Sequence, residues 1–254
     1  MTVSLHLELD DTVARLSAEL GKGNILDEAA IAALSAAHRE ALALPEVRAI
    51  LLEPEGPHFS FGASVVEHLP QKVHGMIPKL HAFVRQLAAS EAPVVAVVRG
   101  QCLGGGLEVA LGCSRIVAAP GAKLGQPEVK LAVFAPAGSA LLPRRVGDGL
   151  ATRLLLTGES LDAQAALAAG LVDEVAEDPR AAALAFAAKL SDVPAVAVRR
   201  AHRAARAAAV AALDVDLARL EALYLREVAS DPVAIEGLTA FVERRDPTWK
   251  KRSS

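Results

Sequence analysis

Pro93-Val-Val-Ala-Val-Val-Arg-Gly-Gln-Cys-Leu-Gly-Gly-Gly-Leu-Glu-Val-Ala-Leu111 is the stretch whose reading decides the fold. Its first six residues form an unbroken apolar run of strand length, which predicts a strand buried on both faces. Arg99 to Gly106 is a glycine-rich turn, and Leu107 to Leu111 opens a helix. Working outward, Ser4 to Leu9 and Thr12 to Ser17 alternate apolar and polar residues around Asp10-Asp11 and predict a β-hairpin. Asp27 to Leu44 has helical spacing, with Asp27 as N-cap and Pro45 beyond the end. Val47 to Leu52 predicts a strand, Lys72 to Ser90 a helix, and Ser114 to Ala118 the next strand. Strands alternating with helix-length connections predict an α/β fold with a largely parallel sheet. After about residue 136 the chain is Ala-rich and helical, Leu171 to Val175 excepted. No repeat of fixed period is visible, although the strand–turn units fit an irregular spiral.

The chain has 254 residues and a net charge of −3, so no global field recruits nucleic acid or an anionic membrane. Hydrophobic residues make up 52 % but aromatics only 3 %, so the core must be built from Ala, Val and Leu. Cys102 and Cys113 lie in apolar sequence and give neither a zinc spacing nor a disulfide framework. Met1 to Asp10 has no basic segment and no long apolar run, so no signal peptide is expected; no run is long and uncharged enough for a membrane span. These features predict a cytoplasmic protein with a polar, frayed tail over 250–254.

Three segments carry chemistry. Gly104-Gly105-Gly106 opens a helix directly after a buried strand, where the first helical N–H groups have no internal partner and suit an anion or a developing oxyanion. Tight packing alone is the bland alternative, and neither a dinucleotide fingerprint nor a P-loop follows. Glu108 comes next inside an apolar run, where burial raises a carboxyl pKa. A second carboxylate stands in Gly125-Gln-Pro-Glu128-Val129, also in apolar sequence. Two such groups in one dry pocket can divide the labour, one donating a proton and one accepting it from water. The third segment is Phe59-Ser-Phe-Gly-Ala63-Ser64-Val65, a loop whose backbone N–H can complete a two-donor hole; read locally, it is an ordinary turn.

Together and in this order, the three segments resemble the crotonase (enoyl-CoA hydratase/isomerase) superfamily over nearly the whole chain. The spacing of Glu108 and Glu128, twenty positions, matches the family pattern. The resemblance implies a crotonase-like spiral of ββα turns (residues 1–195) with a helical C-terminal trimerisation region (residues 196–254), assembled as a trimer or a dimer of trimers. It implies an acyl-CoA substrate and an oxyanion hole from the N–H groups of Ala63 and Gly105. Glu108 and Glu128 would hold and activate water. Ser64, Val65, Val66, Gly104, Phe134 and Pro136 would shape the substrate pocket, and Phe241 and Arg244 would approach the adenosine 3′-phosphate. No metal and no separate cofactor are implied, coenzyme A being part of the substrate.

Two departures bear on the acyl group: Ser64 replaces the Asp of general hydratases, and Val133-Phe-Ala-Pro-Ala-Gly-Ser139 replaces a more glycine-rich stretch. With Arg99 to Gly106, these phrases set the chain beside a narrower branch acting on a cyclic dienoyl thioester. The competing readings are a short-chain enoyl-CoA hydratase and a non-catalytic protein that binds acyl-CoA or RNA. The net charge and the retained glutamates argue against the last. Arg199, Arg200, Arg203 and Arg206 share one side of a helix and are read as a solvated basic face. The seven histidines show no metal-ligand spacing, and His58 and His68 beside the Ala63 loop are read as ordinary loop residues.

Overall fold

The computed structural model describes residues 1–250; the rest of the polar tail lies outside the described residues. The predicted hairpin is present as β1 (Thr2–Glu8) and β2 (Val13–Glu19), antiparallel with Leu5 opposite Leu16. Its turn passes through Leu9, Asp10 and Asp11, all at positive φ. Helix α1 (Glu28–Ala43) starts at Asp27, whose Oδ1 accepts from the Ala30 N–H at 2.7 Å. There follow β3 (Ala49–Pro54), a 3₁₀ turn over Val65–His68, and α2 (Val73–Ala88). Next come β4 (Val94–Val98), β5 (Gln101–Leu103), α3 (Gly105–Gly112), β6 (Arg115–Ala118) and β7 (Lys123–Gly125).

Strands β2, β3, β4 and β6 lie parallel in one sheet. Each turns a corner into a second layer: Leu26 bridges Ala63, Ser60 bridges Cys102 in β5, and β5 pairs with β7. A helix then returns the chain to the first sheet. Each circuit thus lays down one long strand, one short strand and one helix, which is the expected ββα spiral.

The continuous apolar run of β4 is buried on both faces, as its composition predicts. Val94, Ala96 and Val98 join the main core beneath α2 and α3, while Val95 and Val97 pack with Ala183 and Ala187 of a later helix. Both cysteines are buried and free.

A second 3₁₀ turn over Glu128–Leu131 leads to α4 (Pro136–Val146) and α5 (Asp148–Thr157). Then come β8 (Ser160–Asp162), which joins β7, and α6 (Ala163–Ala168). The strand expected over Leu171 to Val175 shrinks to β9 (Glu174–Val175) at the edge of the first sheet. Helix α7 (Pro179–Ala188) covers that sheet's outer face, and α8 (Ala195–Glu227) and α9 (Pro232–Val242) end the described fold.

The basic side of α8 is not a solvated face. Arg199 donates to the carbonyls of Leu42 in the last turn of α1, of Leu44 at its C-cap and of Val47 in the connection to β3. Arg206 donates to those of Ala88 and Gly112, which close α2 and α3. The carbonyls of Leu42, Ala88 and Gly112, in the last turns of their helices, have no partner there, and a guanidinium with several donors satisfies them. Only Arg200 and Arg203 are exposed, Arg203 lying 3.6 Å from Glu91. Helix α9 docks on the Glu128 turn, where a Cβ on Gly237 would stand 2.2 Å from the Leu131 carbonyl oxygen.

Candidate active site

Two loops meet backbone to backbone at the ends of the second-layer strands. Gly62 has φ +110°, and a Cβ there would lie 3.0 Å from the Leu103 oxygen and 3.4 Å from the Gly105 nitrogen. Glycine is needed for both the conformation and the approach. The bridge to this loop uses the N–H groups of Leu26 and Ser64, which turns the Ala63 N–H to the opposite side. Gly105 begins α3, so its N–H has no helical acceptor. Neither N–H has an acceptor among the described residues. The Gly105 α-carbon is close enough to Ala63 that a Cβ would meet the Ala63 nitrogen at 3.0 Å. Two adjacent donors free of structural duty can receive negative charge on one oxygen.

Glu108, one turn into α3, is 3 % exposed. Its Oε1 accepts from the Gly138 N–H at 2.7 Å, in the first turn of α4. Burial pushes this carboxyl up, while the His81 charge and the N–H groups of Gly138 and Ala137 oppose the rise. Glu128 sits over the other loop, and a Cβ on Gly104 would touch its Oε1 at 2.6 Å. Burial also pushes Glu128 up, and here the neighbouring Glu108 charge adds to the rise. Both carboxyls are thus held above their ordinary range, each keeping hydrogen-bond donors of its own, so the pair can share one proton and one charge.

The raised Glu128 carboxyl has a consequence for stability. Its ordinary value is 4.5, and between that and its higher folded value the folded chain keeps a proton that the unfolded chain has lost. Stability therefore falls as pH rises through this window. Glu128→Gln does not titrate, so its Tm relative to the parent is expected to climb from about pH 5 to about pH 9. Thermal melts that hold a constant difference across this range would refute the raised carboxyl.

A cavity of about 700 Å³ opens in front of these groups. Every residue that the sequence assigned to the site lines it: Ala63, Ser64, Val65, Val66, Gly104, Gly105, Glu108, Glu128, Phe134, Pro136, Phe241 and Arg244. Its walls are largely apolar, with Ile77 and Leu80 from α2 and Leu238 from α9. At the mouth, Lys130 and Arg244 are exposed cations and Phe241 is an exposed ring. His58 is the ordinary loop residue expected, its Nδ1 accepting from the Gln101 N–H at 3.1 Å. His68 has its Nδ1 2.8 Å from the Ser64 carbonyl oxygen and also lines the cavity.

Sequence reasoning missed several groups around the pair. Gln126, 1 % exposed, faces Glu128; with its amide nitrogen turned inward it donates to the two carboxylate oxygens at 3.0 and 3.1 Å and to the Gly104 carbonyl at 3.3 Å. Its place inside Gly125-Gln-Pro-Glu128, a polar residue in an apolar run, was the available signal. His81 of α2 is fully buried, its Nδ1 2.7 Å from Oε2 of Glu221 in α8. Among the described residues there is no group of three or more His, Cys, Asp or Glu placed to hold a metal, and no helix long and apolar enough to cross a membrane.

Comparison with known proteins agrees with this geometry. The enoyl-CoA hydratase/isomerase family profile matches residues 14–252. The chain is 48 % identical over 251 residues to the cyclohexa-1,5-dienecarbonyl-CoA hydratase of Thauera aromatica, covering 98 % of this chain and 97 % of that one. It is 35 % identical to a probable enoyl-CoA hydratase of Mycobacterium bovis, covering 82 % of each. Among solved structures, an enoyl-CoA hydratase from Mycobacterium avium subsp. paratuberculosis superposes with a TM-score of 0.84 at 31 % identity, covering 98 % of both chains.

Proposed function

The chain belongs to the enoyl-CoA hydratase/isomerase family and is a hydratase of acyl-CoA thioesters, and from that premise we propose that it adds water to cyclohexa-1,5-diene-1-carbonyl-CoA, giving 6-hydroxycyclohex-1-ene-1-carbonyl-CoA. The observation that carries the chemistry is the buried Glu108 and the half-buried Glu128 facing the free N–H groups of Ala63 and Gly105 across one apolar cavity. The likeness to the Thauera enzyme supports the substrate. So does the apolar wall formed by Phe134, Ala135 and Pro136, a lining suited to a hydrocarbon ring.

In this reading the thioester oxygen lies between the Ala63 and Gly105 N–H groups. Water is held between the two carboxyls. Glu108, the ionised partner, takes its proton as the oxygen attacks the β-carbon. Charge runs through the conjugated system to the thioester oxygen, where the two donors receive it. Glu128, the protonated partner, supplies the proton to the far end of the diene, and the proton gained by Glu108 restores the pair. Lys130, Phe241 and Arg244 at the mouth fit the phosphates and adenine of the coenzyme A portion. Residues 196–254 are read as the assembly region of a trimer or dimer of trimers, for which the exposed Val196 and Val215 on α8 speak.

A substrate panel tests the assignment. The cyclic dienoyl thioester is expected to give a kcat/KM at least about tenfold above that of crotonyl-CoA, the preference a shaped apolar pocket supplies. A preference for crotonyl-CoA would leave the two-carboxyl chemistry intact and remove the cyclic diene.

A further inference from the structure

Tyr224 sits in the interior of α8, one turn after Glu221, and is 1 % exposed. Its ring is held edge-on by Phe134, at 5.2 Å between centroids, and by His68, at 6.4 Å. Both of those residues line the cavity. The Tyr224 hydroxyl is buried and has no hydrogen-bond partner among the described residues. Such a group is disfavoured in a purely structural role, because phenylalanine has the same shape and leaves nothing unsatisfied.

The groups that face it define what it can do. Glu128 from the second 3₁₀ turn and Glu108 from α3 both bear on it electrostatically. His68 comes from the first 3₁₀ turn, and His81 of α2 is engaged by Glu221. We propose that the Tyr224 hydroxyl is a further hydrogen-bond donor of the hydration site, engaging the water beside Glu128 once substrate is bound. Burial and the two carboxyls keep the phenol protonated, so it serves as a fixed donor and takes no part in the proton count. It acts through the water and Glu128 and is a positioning residue. Its ring stands behind Phe134 and His68, two residues of the cavity wall.

This inference rests on the hydration reading but not on the identity of the acyl group. The test is Tyr224→Phe, assayed on whichever enoyl-CoA thioester the parent protein hydrates fastest, so that a wrong choice of ring or chain leaves the comparison intact. The expected result is a kcat lower by roughly 10²-fold, the size of one lost active-site donor. KM should stay within about twofold, and Tm should be unchanged or higher because an unsatisfied hydroxyl has gone. A parental kcat would overturn the proposal. So would a loss of kcat accompanied by a lowered Tm, which would mark the hydroxyl as structural.

Discussion

Glu108→Gln is expected to lower kcat for hydration by about 10³-fold or more while binding of the CoA thioester stays within a few-fold, and Glu128→Gln is expected to do the same. Glutamine keeps the volume at each place. At position 108 its amide oxygen can still accept from the Gly138 N–H that now bonds Oε1 at 2.7 Å. What is lost is the ability to take or give a proton. Steady-state kinetics beside a direct binding measurement separate the two effects. Either variant retaining most of its turnover would end the two-carboxyl mechanism. The two should not multiply when combined, because groups acting as one unit are not additive.

Ala63→Pro is the second large effect, an expected loss of about 10²–10³ in rate. Proline removes the N–H at this position, and that N–H makes no bond within the described protein. The bridge that holds the loop runs through the neighbouring N–H groups of Leu26 and Ser64 and the carbonyls of Gly62 and Leu26, so it is kept. The loss should therefore appear in kcat with little change in folding. A folded variant with parental turnover would show that the thioester oxygen is not held there.

The sequence made the long strands and the reacting groups legible for separate reasons. Val94 to Val98 is apolar throughout because both its faces are covered, and Asp27 caps α1 as its chemistry requires. Glu108 and Glu128 stood out as charges in apolar surroundings. Strands β5, β7 and β8 have three residues each, too short for any period to register, and so the second layer went unseen. His81, Glu221 and Tyr224 are ordinary residues within long helices, and only the fold brings them behind the pair. Arg199 and Arg206 were misread because a helix pattern gives no sign of which carbonyl ends will come to rest beside it.

Those two arginines also make α8 a gauge for the spacing of the spiral. They are seven residues apart, a rise of about 10.5 Å along a helix, close to the 8–10 Å between packed helices. One guanidinium meets the end of α1 and the other the ends of α2 and α3. The negative poles of three successive coils are thus neutralised by positive charges at fixed intervals on a single rod. The spacing of the helix layer, about twice that between paired strands, is thus repeated in the arginine interval. A residue inserted between the two would turn the second away from its carbonyls, and the rod would no longer match the helices it spans.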